Sequence, residues 1–254
     1  ETRPRALVKD DGVLVILRAM NLHDGEDPED MISIRIWLGS NKIITTRQRD
    51  IKAIDDIVAF FQNGQGPTNP GDFLTMITDR VFERMEPFFV DLEDRISKAE
   101  ELLASGEDDV AEDASMVRKR TAIFTRYVTP QKKVLETLLN VDCGWLTEEH
   151  KEHLTESLDR VTRYVEELHE LRERSQILND ELNNAHGRRL NDITYIFSVA
   201  ATVFLPLSFL TGLLGVNVGG IPGIDNVNGF WVFTGLCIAI IIAQVALFKK
   251  LKWF

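Results

Sequence analysis

The chain has 254 residues and a net charge of −11, and 44% of its residues are hydrophobic but unevenly placed. Residues 1–190 hold 38 acids against 26 bases, whereas residues 191–254 hold two acids and three bases. An acidic, water-compatible body joined to an apolar tail excludes a purely soluble protein, and the lack of a strong basic face argues against nucleic acid as a partner.

The sequence opens on Glu1 and not on Met, so further N-terminal residues are expected to precede it, and its first residues do not read as a signal peptide. Residues 13–20 and 31–38 are rich in β-branched side chains, and residues 43–47 continue as a strand after Gly39-Ser40-Asn41-Lys42, which predicts a hairpin. A helix is expected over 51–62, ended by Asn63-Gly64-Gln65-Gly66-Pro67. Phe73, Ile77, Val81, Phe88, Leu92, Ile96 and Leu103 then trace one face of a single helix with a kink at Pro87. Ser105-Gly106 breaks it, and a second long helix is expected over 109–140. After the turn Cys143-Gly144-Trp145-Leu146, Thr147 caps a third helix, with His150 where the Glu of a capping box would stand.

This third helix meets no Gly or Pro before Gly187 and runs straight into an apolar stretch. Continuous from 148 to 215, it would be ~100 Å long at ~1.5 Å per residue. Leu154, Leu158, Val161, Val165 and Leu168 form a heptad-like seam. The same phase then meets Arg172, Ser175 and Asn179, where the seam is expected to open.

Residues 193–215 carry no charge and are long enough for a hydrocarbon core of ~30 Å, and residues 230–248 repeat the pattern. The connector 216–229 has no Lys or Arg, whereas Arg188 and Arg189 precede the first span and Lys249, Lys250 and Lys252 follow the second. The positive-inside rule puts both termini in the cytoplasm and the connector outside. The expected organisation is the remainder of an N-terminal α/β domain (1–70), a helical stalk region (71–190) and a two-helix transmembrane hairpin (191–254). The fold class is thus α+β in the cytoplasmic part, followed by a very long helix and two spans.

The first span carries a stripe of polar or small residues at a spacing near 3.5: Asn191, Thr194, Ser198, Ala201, Leu205, Ser208 and Gly212. Polar groups inside a membrane face a neighbouring helix or a water-filled cavity. Helix–helix packing is one reading and a pore lining the other. Two helices cannot encircle a pore, so a lining requires a homo-oligomer with this helix innermost. Projected backward, the stripe becomes Asp180, Asn184 and Gly187, either a vestibule that concentrates cations or an ordinary solvated face. Pro206 frees one carbonyl, which neighbours or water must satisfy.

His150 and His153 share a helix face, with Cys143 seven residues before the first. They form either a regulatory metal site or a solvated face. Asp225 is the sole acid of the connector. Cys143 and Cys237 lie in contexts that imply no disulfide framework.

The segment from Arg188 to Asn217 resembles the CorA metal-ion transporter superfamily, whose first span ends in a Gly-x-Asn signature, here Gly215, Val216 and Asn217. Asn191, Pro206, Ser208, Phe209, Thr211 and Gly212 also sit where that pattern puts them. Gly219-Gly220-Ile221-Pro222-Gly223 and residues 126–139 are similar to its zinc-transporter branch, ZntB. The resemblance implies a homopentameric funnel in the inner membrane, stalk helices around the pore and a ring of Asn217 at the outer mouth. Val216 stands where the magnesium branch usually has Met, and that branch's acidic loop residue is absent; both departures weigh against magnesium specificity.

The expected function is divalent-cation transport with no permanently bound cofactor: zinc first, then magnesium, cobalt, nickel or cadmium. The expected partners are further copies of the chain, membrane lipid and the ions. A membrane-anchored coiled-coil scaffold is the competing class, and it has no need of a hydrophilic stripe. No paired nucleophile and base suggests an enzyme.

Overall fold

The structure, a computed structural model, describes residues 3–9, 12–107, 110–215 and 226–250. The chain divides into two compact units, Glu1–Leu182 and Asn183–Phe254.

The first unit opens with a four-stranded antiparallel meander: β1 (Arg5–Lys9), β2 (Gly12–Ala19), β3 (Ile32–Gly39) and β4 (Lys42–Arg47), in that spatial order. The expected hairpin is β3–β4 with Ile36 opposite Thr45, and β2 joins it with Val15 opposite Ile36. Strand β1 went unread because it is a short, mostly exposed edge with Arg5 and Lys9 at its ends. Ile32, Ile34, Ile36 and Leu38 alternate into the core from β3. At the β2–β3 margin, a Cβ on Gly12 would stand 2.4 Å from the Trp37 ring, so the indole occupies the space a side chain would need.

Five helices follow in this part of the chain: α1 (Lys52–Gln62), α2 (Pro70–Glu83), α3 (Glu86–Ala104), α4 (Ala111–Leu139) and the first part of α5 (Glu148–Leu214). The stretch expected as one kinked helix is two. Pro87 lies in the first turn of α3, where its missing N–H costs nothing, and the buried Met85 bridges the break. Helix α4 lies against the sheet, and its buried Gln131 accepts the Arg18 N–H of β2 at 3.0 Å. Gln131 thus takes a donor that β1, which begins at Arg5 opposite Ile16, does not reach.

The α5 seam also departs from expectation. It does not open at Ser175 but continues through Leu168, Leu171, Ser175, Leu178 and Leu182. The alternate positions are Ser157, Tyr164 and Leu171, one residue before the predicted Leu158, Val165 and Arg172. The Ser175 hydroxyl donates to its own helix at the Arg172 carbonyl (2.8 Å), which makes its burial affordable. Tyr164 and Phe124 both meet Phe89 edge-on, at centroid separations of 4.9 and 5.5 Å, joining α3, α4 and α5.

The second unit contains the rest of α5 and α6 (Gly229–Lys250). Both helices are long and apolar enough to cross a membrane, and no residue in the apolar window of either is buried.

Candidate functional site

Every member of the predicted stripe within the helix, from Asn191 through Thr194, Ser198, Ala201, Leu205 and Ser208 to Gly212, is exposed on the single chain. The half-buried positions of this span, including Val199, Val203, Pro206 and Leu210, lie on a nearly opposite face, about 150° round. The matching half-buried positions on α6 are Phe233, Cys237, Ile240 and Gln244, and Gln244 Nε2 lies 3.1 Å from the Thr202 carbonyl. Within its hairpin the stripe is therefore uncovered, and α6 rests on a different face of α5.

Three hydroxyls along this span are tied to their own helix. Ser198 Oγ donates to the Thr194 carbonyl (2.8 Å), Thr202 Oγ1 to the Ser198 carbonyl (2.7 Å) and Thr211 Oγ1 to the Leu207 carbonyl (3.0 Å). Each hydroxyl keeps lone pairs for water while its proton is internally satisfied. Helix α5 ends at Leu214, and the Gly215 N–H bonds the Thr211 carbonyl at 2.9 Å. Val216, Asn217 and Asp225 lie outside the described residues. Lys249 and Lys250 close the last turn of α6, where cations meet the helix dipole favourably.

The histidine pair has a different setting. Thr147 N–H donates to His150 Nδ1 (3.1 Å), and His150 N–H reaches back to Thr147 Oγ1 (3.4 Å), so a histidine completes the capping box that the sequence reading left incomplete. The ring's other nitrogen, Nε2, lies 2.9 Å from Asp72 Oδ1. Both ring nitrogens are thereby occupied, and the ring is nine-tenths buried. His153 is mostly exposed, with Nδ1 3.7 Å from Glu156. Among the described residues no group of three or more His, Cys, Asp or Glu side chains has metal-holding geometry. The pair borders a cleft of about 300 Å³ that Asp79 and Arg80 of α2 also line.

Asp72 is held well below the usual carboxylate range. Burial alone would raise it, but hydrogen bonds from Thr68, His150 and Asn69 outweigh that. The vestibule candidates Asp180, Asn184 and Gly187 are all exposed. One polar residue of consequence, Asp72, escaped the sequence reading, because its partner stands 78 residues away.

Over residues 1–250 the chain matches the sequence profile of a family described as CorA-like Mg2+ transporter protein. It is 32% identical to the divalent cation transporter CmaX of Pseudomonas aeruginosa, covering 99% of this chain and 77% of that one. It is 34% identical to the zinc transport protein ZntB of Pectobacterium carotovorum, with the same coverage. Among solved structures, full-length CmaX superposes with a TM-score of 0.85 at 32% identity, covering all of this chain and 78% of that one. The CorA magnesium transporter of Methanocaldococcus jannaschii gives 0.80 at 22% identity, covering 99% and 80%, a likeness of fold.

Proposed function

The chain belongs to the CorA-like Mg2+ transporter family, and we propose that it conducts zinc through a homopentameric pore lined by the membrane half of α5. It is a divalent cation transporter; the ion, the assembly and the lining are the parts proposed. One observation carries the reading: a stripe from Asn191 to Gly212 stays exposed in a span whose other faces are apolar or covered by α6. Lipid is a poor environment for Ser198 and Ser208, whereas neighbouring copies around a wet axis would accept them. Both termini then lie in the cytoplasm, because the basic residues flank the outer ends of the hairpin. The exposed Asp180 and Asn184 then border the cytoplasmic approach, where an acidic wall raises local cation concentration.

In this reading Asn217 forms the ring at the outer mouth. Neutral amide oxygens accept hydrogen bonds from water already bound to a cation, but they replace a divalent ion's shell poorly, so the ion enters at least partly hydrated. Thr194, Ser198 and Ser208 continue that hydrogen bonding inward. Ala201, Leu205 and Gly212 form narrow apolar collars at which a closed pore dewets. A divalent ion moving inward gains roughly 4.6 kcal/mol per 100 mV of negative-inside potential, which favours uptake through a passive pore.

Zinc is favoured over magnesium by the ZntB relatives and by Val216. Magnesium is the second reading, supported by the family's own description. Flux of Zn2+, Mg2+, Co2+, Ni2+ and Cd2+ into vesicles containing the purified protein decides between them. Zinc flux that falls in Asn217→Ala at normal pentamer content supports the mouth assignment. Flux at the parental rate in that variant removes it.

A further inference from the structure

Pro206 breaks the hydrogen-bond ladder of α5. It has no N–H, so the carbonyl four residues back, that of Thr202, loses its helical donor. In a hydrocarbon interior no water replaces that donor, and an orphan carbonyl is costly. The opposite helix supplies the replacement: Gln244 Nε2 lies 3.1 Å from the Thr202 oxygen. Gln244 is the one amide side chain in α6, set among Ile, Ala, Val and Leu. Its own Oε1 is buried with no hydrogen-bond partner in the structure. A residue needed only for packing would be apolar like its neighbours. This one carries an unsatisfied acceptor, and its amide NH2 meets the carbonyl that Pro206 releases.

The consequence reaches the stripe. Thr202 Oγ1 donates to the Ser198 carbonyl and Ser198 Oγ to the Thr194 carbonyl, so the Gln244 contact ends a run of bonds that includes two stripe residues. Leu205 and Ser208 flank Pro206, the point where a helix lacking a ladder bond bends or turns most readily. We propose that Gln244 is a positioning residue for transport: by closing the gap left by Pro206, it fixes the local bend and rotation of α5 and so sets how Leu205 and Ser208 meet the pore axis. This rests on the reading of α5 as the lining helix.

The test is a cycle of Gln244→Met, Pro206→Ala and the double variant, each as the full chain in vesicles. Two quantities are measured: Zn2+ and Mg2+ flux at matched pentamer content, and the solid-state NMR resonance of the Thr202 carbonyl. The Thr–Val pair occurs once in the chain, at 202–203, so carbonyl-labelled Thr with nitrogen-labelled Val isolates that signal. Gln244→Met is expected to lower flux about threefold to tenfold and to move the Thr202 resonance upfield. Pro206→Ala returns a backbone donor, so in that background Gln244→Met should change flux by less than about twofold and leave the resonance in place. Equal losses in both backgrounds, or parental flux in Gln244→Met, would overturn the positioning role. Ser198→Leu separates the two ideas. Parental flux in that variant, beside a Thr202 resonance that still answers to Gln244, overturns the pore reading and the positioning role with it, while upholding the bond.

Discussion

Nε2 of His150, in the first turn of α5, sits 2.9 Å from Oδ1 of Asp72, in the first turn of α2. An ionised Asp72 only accepts and the Thr147 N–H only donates, so the ring bridges them as the neutral tautomer with its proton on Nε2. Thr68 fills the other carboxylate oxygen through its N–H (2.9 Å) and its hydroxyl (2.7 Å). One carboxylate thus joins the starts of two helices.

Stability should follow from that carboxylate with a defined sign. The folded-state pKa of Asp72 lies below its unfolded value, so its contribution is fully present above the ordinary carboxylate range and is lost as pH falls through the folded value. A third of the side chain is exposed, which limits the expected cost of Asp72→Asn at pH 7 to about 1 kcal/mol. Thermal melts from pH 7 downward should show the gap between parent and variant shrinking only below about pH 4. A gap that stays constant into strong acid would contradict this.

Gly71 is held by the same pair. A Cβ there would stand 2.3 Å from the His150 ring and 2.8 Å from the Trp145 carbonyl. Gly71→Ala should therefore displace the ring and destabilise by about 1–3 kcal/mol. Gly144→Ala, where the added Cβ meets nothing within 4 Å, is the matched control and should be close to neutral. Equal melting points for the two variants would show that the ring is not needed where it stands.

Tyr164 gives an alkaline counterpart. Burial pushes its phenol up to about 12. A raised folded-state value means that this contribution is intact below the unfolded pKa of about 10 and is lost as pH climbs through the folded one. Tyr164→Phe should flatten the fall in stability across that window. Its cost at pH 7 should be small, because the hydroxyl makes only a long 3.4 Å bond to the Phe82 carbonyl. Denaturant melts of parent and variant at pH 8 to 11.5 measure the slope.

The two long apolar helices were legible from the sequence because hydropathy is a local property. The strands β2, β3 and β4 were legible for the same reason. What escaped reading depended on partners distant in the chain. The edge strand β1 carries too few apolar residues to announce itself. Met85 and Pro87 look like a kink until the packing of two separate helices is seen. The α5 seam looked finished at Arg172 because the true inward positions, Leu171 and Leu178, lie one residue earlier. His150 looked like half of a metal site because Asp72 is remote in sequence. Gln244 acquires meaning only beside the carbonyl that Pro206 frees.

The most direct test of the account is water access along α5. Single cysteines are placed at Ser198, Leu205, Ser208 and Gly212 and, for contrast, at Ile196 and Phe204, with Cys143 and Cys237 replaced, in the reconstituted full chain. The account predicts that a charged, membrane-impermeant thiol reagent modifies the first set, that its attachment blocks divalent-cation flux, and that flowing ion slows the modification. The second set, facing lipid, should stay unmodified with flux intact. Modification of Ile196 and Phe204 positions alone, or flux unaffected by a bulky group at Ser198 and Ser208, would contradict the lining of the pore by this stripe.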